Sequence, residues 1–89
     1  MHELGLMTGV LDNVTQVAKE QKVLSVNKIN LQVGAMSGVV VPALEFAFQQ
    51  LQELEEYQLC KQAKLHIDEL TEKENRHKFE IVSIEADLC

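Results

Sequence analysis

Residues 25–42 read S-V-N-K-I-N-L-Q-V-G-A-M-S-G-V-V-V-P, and the fold turns on them. Ile29, Leu31 and Val33 alternate with Lys28, Asn30 and Gln32. A period of two predicts a strand with one buried face. Gly34, Ser37 and Gly38 break that pattern, and Val39 to Val41 lead into Pro42. Proline suits the first turn of a helix, where its missing N–H has no partner to lose. The helix is expected over Ala43–Glu56, with Leu44, Ala47, Phe48 and Leu51 at i, i+3, i+4 and i+7. Phe46 falls off that stripe. Glu53, Glu55 and Glu56 oppose the helix dipole by a few tenths of a kcal/mol each, so that end is expected to fray.

On the N-terminal side, Leu4, Met7, Leu11, Val14 and Ala18 recur at steps of three and four over the first 22 residues. Leu6, Val10 and Val17 widen the stripe, which predicts an amphipathic helix with one buried face. Gly5 and Gly9 each weaken it by roughly 1 kcal/mol relative to alanine, so packing must hold its first turns. On the C-terminal side, Leu65 and Ile67 alternate with Lys64, His66 and Asp68 in a second strand. T-E-K-E-N-R at 71–76 is a polar connection, and Phe79–Ala86 a third strand. The apolar residues of that strand change parity between Ile81 and Val82, the mark of a bulge or of a strand covered on both faces. The expected fold class is α+β, in the order α-β-α-β-β. A three-stranded sheet with two helices on one face buries both stripes within a single domain, 1–89.

The chain has 89 residues, 46% of them apolar, which suffices for one core. Fourteen acidic residues against eight basic ones give a formal charge of −6, and the basic residues do not cluster. A nucleic acid partner is excluded on that ground, while a metal cation or a basic protein surface suits the charge. No apolar run approaches the ~18–20 residues that span a bilayer. The N-terminus lacks the basic start and apolar stretch of a signal peptide, so the mature chain is expected to begin at Met1 in the cytoplasm. Two cysteines, Cys60 and Cys89, make no disulfide framework.

Signatures of nucleophilic catalysis and phosphate-binding loops are missing. Cys60 reads as an inert thiol. His66, between Lys64 and Asp68, and His77, after Arg76, read as solvated. A hydrolase would need those two histidines to meet across neighbouring strands, with a pocket between them. The N-terminus offers more. Its α-amine, the deprotonated amide of His2 and the His2 imidazole lie within one chelating reach, closing a five- and a six-membered ring. Planar nitrogen sets of this kind favour Ni(II) or Cu(II) over Zn(II). A frayed end whose second residue is histidine fits the same residues.

Met1-His2-Glu3-Leu4 at the head of an amphipathic helix is followed in order by Ile29–Gly34, Ser37-Gly38-Val39 and Ala43-Leu44-Glu45-Phe46-Ala47-Phe48. Together they resemble the HypA/HybF family of nickel metallochaperones, and Ile81–Glu85 resembles its closing strand. The resemblance implies a carrier with no catalytic chemistry of its own. It implies Ni(II) bound by Met1 (amine), His2 (amide and imidazole) and Glu3 (backbone nitrogen). The implied partners are a HypB-type GTPase and the large subunit of a [NiFe]-hydrogenase, with urease as a second destination in some organisms. The chain would act as a monomer or weak homodimer. Its alternative role is an interaction module that docks on maturation proteins without carrying metal.

The family normally inserts a zinc ribbon, with two C-x-x-C pairs around one Zn(II), between its second and third strands. Here that stretch is Leu70 to Lys78, with no cysteine in it. The two strands are therefore expected to join through this short loop as an antiparallel hairpin.

Overall fold

The computed structural model describes residues 2–88. Met1 and Cys89 lie outside the described residues, so the expectations placed on them are not addressed by it. The elements run α1 (Glu3–Glu20), β1 (Val23–Gly34), α2 (Val41–Leu51), β2 (Lys64–Leu70) and β3 (Phe79–Leu88). Short 3-10 turns occupy Glu55–Cys60 and Lys73–Asn75. This is the expected α-β-α-β-β order.

The core forms where the two periodicities meet. Met7, Val10, Leu11, Val14 and Ala18 of α1 and Leu44, Ala47 and Phe48 of α2 are buried against Val26, Ile29, Leu31 and Val33 of β1. Each large side chain so enclosed contributes about 1.5–3 kcal/mol of transfer free energy. The opposite face of the sheet carries Lys28, Asn30 and Gln32 with exposed His66, Asp68, Ser83 and Glu85. Both helices thus lie on one face. Leu4, the first member of the α1 stripe, is 57% exposed, and Phe46 is 62% exposed. Leu4 belongs to a first turn that overhangs the core, whereas Phe46 lies off the buried stripe of α2.

The strand order corrects the expected hairpin. β1 is central: β2 runs parallel along one edge of it, and β3 antiparallel along the other. The helical crossover returns the chain beside β1 in the parallel sense, as a βαβ unit requires. Residues 71–78 then cross the end of β1 to its far edge. Gly34 makes that crossing close, because a Cβ there would drive into the Arg76 backbone carbonyl. Ala35 N–H donates to the Leu70 carbonyl at 2.8 Å and Gly34 N–H to the Lys78 carbonyl at 2.6 Å.

The parity change in β3 is a bulge. Asn30 pairs with Ser83 but Leu31 with Ile81, so Val82 is the extra residue and turns outward. β1 has its own at Asn27, between the pairs Val26–Ala86 and Lys28–Glu85.

The second helix ends earlier than its sequence suggested, at Leu51 rather than Glu56. The Gln52 side-chain amide donates to the carbonyls of Cys60, Lys61 and Ala63 at 3.0, 3.1 and 3.3 Å, folding the following segment back beneath the helix. Pro42 does sit in the first turn.

Candidate metal centre

The residues singled out at the N-terminus head α1. His2 is the N-cap, exposed, with φ −87° and ψ 86°, and its carbonyl accepts the first helical hydrogen bond from Leu6 N–H at 3.0 Å. Its imidazole makes no capping bond. Glu3 is the first helical residue, so its amide N–H precedes the point at which helical acceptors become available. An imidazole and a backbone nitrogen therefore sit side by side on the solvent-facing end of a helix.

The Glu3 side chain is engaged elsewhere. Its Oε2 accepts a hydrogen bond at 3.0 Å from the backbone N–H of Val40, the residue capping α2. That N–H holds the carboxyl below its usual range, and the N–H of Glu3 itself adds to the effect. Val40 presents its amide because the loop before it is tightly wound. Gly38 adopts φ 84°, which glycine tolerates, and the Ser37 hydroxyl accepts Val39 N–H at 3.3 Å. One carboxylate thus lies at the N-termini of both helices, where the helix dipoles favour negative charge.

Other groups with chemical potential lie apart. His66 Nε2 is 3.0 Å from Asp68 on the open sheet face, level with Asn30. His77 Nδ1 is 3.0 Å from the Met36 carbonyl, beyond the end of β1. β1 separates the strands that would have had to bring them together, so the arrangement needed for a hydrolase does not form. Cys60 is fully buried, and burial pushes its thiol up, an effect the nearby Thr15 hydroxyl partly offsets. Tyr57 donates its hydroxyl to Asp12 at 2.6 Å; that bond, with burial, raises its pKa to about 12. Among the described residues no group of three or more histidine, cysteine, aspartate or glutamate side chains is placed to hold a metal ion. A site at the N-terminus would draw on backbone nitrogen instead.

The family described as "Hydrogenase/urease nickel incorporation, metallochaperone, hypA" matches residues 1–83. The chain belongs to the HypA family. It is 36% identical over 78 residues to the hydrogenase maturation factor HypA of Methanococcus vannielii, covering 82% of this chain and 60% of the relative. To the HypA of Moorella thermoacetica it is 36% identical over 69 residues, covering 78% and 58%. The chain therefore spans about 60% of the length of these curated relatives. The solution structure of the Ni metallochaperone HypA from Helicobacter pylori superposes with a TM-score of 0.83 at 15% identity, covering 99% of each chain. A second HypA solution structure gives 0.77 at 16% identity, covering 97% of this chain and 96% of the other. At such identities the likeness is one of fold.

The four-thiolate zinc site that goes with HypA resemblance does not fit the residues present. The sequence contains two cysteines, one of them the buried Cys60. One feature of the site had no clear trace in the sequence. The Glu3–Val40 contact joins residues 37 positions apart and uses a backbone donor, which residue identity does not advertise.

Proposed function

We propose that this chain carries Ni(II) for the maturation of a nickel enzyme and has no catalytic step of its own. The ligands are the Met1 amine, the His2 amide and imidazole, and the Glu3 backbone nitrogen. Ni(II) is cargo, taken up and handed on. The observation that carries the reading is the placement of His2 and Glu3. An exposed imidazole without a cap bond adjoins a backbone nitrogen that the helix does not use. Membership of the HypA family supports nickel as the ion, and the formal charge of −6 favours cation capture. The receiving machinery is a HypB-type GTPase and a [NiFe]-hydrogenase large subunit, with urease as a second destination, all in the cytoplasm. No described helix is long and apolar enough to cross a membrane.

The test is a Ni(II) titration of three chains: native, His2→Ala, and one extended by Gly-Ser before Met1. The native chain is expected to form a one-to-one yellow, square-planar complex that acid dissociates, because protons compete for the same nitrogens. Both altered chains are expected to lose it. Equal affinity in all three would overturn the reading and favour an interaction module that carries no metal.

A further inference from the structure

α2 begins without its own cap. Val40, its N-cap residue, contributes no side-chain bond, and the first turn holds no acidic residue. In a capping box a carboxylate three residues into the helix would reach back to the N–H of the N-cap. The corresponding residue here is Ala43, which cannot. Glu3 makes that bond from another helix, 37 residues away, at 3.0 Å. Glu3 is also the first residue of α1, next to His2. The bond that completes the start of α2 therefore fixes the residue on which the N-terminal chelate closes.

We propose that the Glu3 carboxylate is a positioning residue, which ties the nickel-binding terminus to the start of α2 and holds the His2 and Glu3 nitrogens in place without ligating the metal. The proposal rests on the N-terminal nickel reading above. The tether restricts how far the terminus swings away from the helix, so a chelate opened at one nitrogen recloses before the metal escapes. Removing it leaves the donor set intact and raises the rate of loss. Outer groups that orient metal ligands contribute about 10–100-fold to affinity.

The experiment compares the native chain with Glu3→Ala and Glu3→Gln. The first readout needs no metal: the chemical shift and hydrogen exchange of the Val40 amide. Glu3→Ala is expected to move the shift and accelerate exchange, whereas Glu3→Gln, whose side-chain carbonyl also accepts a hydrogen bond, restores both in part. The second readout is the Ni(II) complex. Glu3→Ala is expected to weaken it about tenfold or more, mainly through faster release, with the d–d band where it is in the native chain. Glu3→Gln should recover much of the loss.

An unperturbed Val40 amide in Glu3→Ala would overturn the tether. A shifted d–d band would overturn it in another way, by making the carboxylate a ligand. Nickel affinity unchanged despite a perturbed Val40 amide would remove the positioning role. Failure of the native chain itself to bind nickel would defeat the functional reading, and the Val40 measurements would then report the contact separately.

Discussion

Asp12 and Glu3 both lie on α1, and each accepts a hydrogen bond from far along the chain. Asp12 takes the Tyr57 hydroxyl at 2.6 Å, and Glu3 the Val40 amide at 3.0 Å. Tyr57 is buried, and so are the neighbouring Cys60 and Thr15 and the α1 residues Leu11 and Val14. At Glu3 the surroundings are open, with His2 exposed beside it and Leu4 more than half exposed. The middle of the helix is anchored by apolar contact, with polar bonds added. Its N-terminal turn packs only Leu6 at the edge of the core and adds, at Glu3, one bond in solvent.

The contrast is broken most directly at Leu11, which has no exposed surface. Leu11→Ala is expected to lower unfolding free energy by about 2–5 kcal/mol in urea titrations. A loss below ~1 kcal/mol would mean the middle of α1 is not the anchor. Glu3→Ala, by comparison, removes one exposed helix cap and should cost no more than about 1 kcal/mol.

A smaller effect is expected at Tyr57. Tyr57→Phe removes the bond to Asp12 and is expected to cost about 1 kcal/mol at neutral pH. The same bond makes a pH prediction. Tyr57 is the only tyrosine, and the fold raises its pKa to about 12 from the ordinary value near 10. Folding therefore favours the protonated phenol. Its contribution is complete below the unfolded pKa and is lost as pH rises from about 10 through about 12. Near-UV absorbance should show one phenolate transition above the ordinary range, absent or shifted down in Asp12→Asn.

Gly9 gives the smallest expected change, and the opposite sign. Nothing lies within 4 Å of a Cβ built there, so Gly9→Ala should stabilise the chain by up to ~1 kcal/mol, read as a higher urea midpoint. Cys60 sharpens the contrast kinetically. With Cys89 replaced by serine, the remaining thiol is expected to react with a disulfide reagent only as fast as the chain opens, because its thiolate is buried and disfavoured. Immediate reaction would place Cys60 at a surface the structure does not give it.

The sequence reading was most reliable where a side-chain period decides the outcome. The alternation at 28–33, the stripe from Met7 to Ala18 and the parity change at Val82 each correspond to a strand, a buried helix face and a bulge. Pairing order was not legible, because strand alternation says which face is buried and nothing about which edge is occupied. The hairpin expected of β2 and β3 failed for that reason. The end of α2 escaped because Gln52 bonds carbonyls eight to eleven residues ahead. His2 had a chemical reading of its own, but its weight, and the whole of Glu3's part, came from the family resemblance. The Glu3–Val40 contact had no precursor in any local pattern.

The crossing over Gly34 has a topological consequence. The exit of β2 and the entrance of β3 are fastened to adjacent residues, Leu70 to Ala35 and Lys78 to Gly34. Both gateposts thus stand on the end of β1, side by side. To the strands, the segment between them acts as a detour that starts and finishes at the same doorway. Residues added between the two posts would lengthen the detour without asking any strand to move.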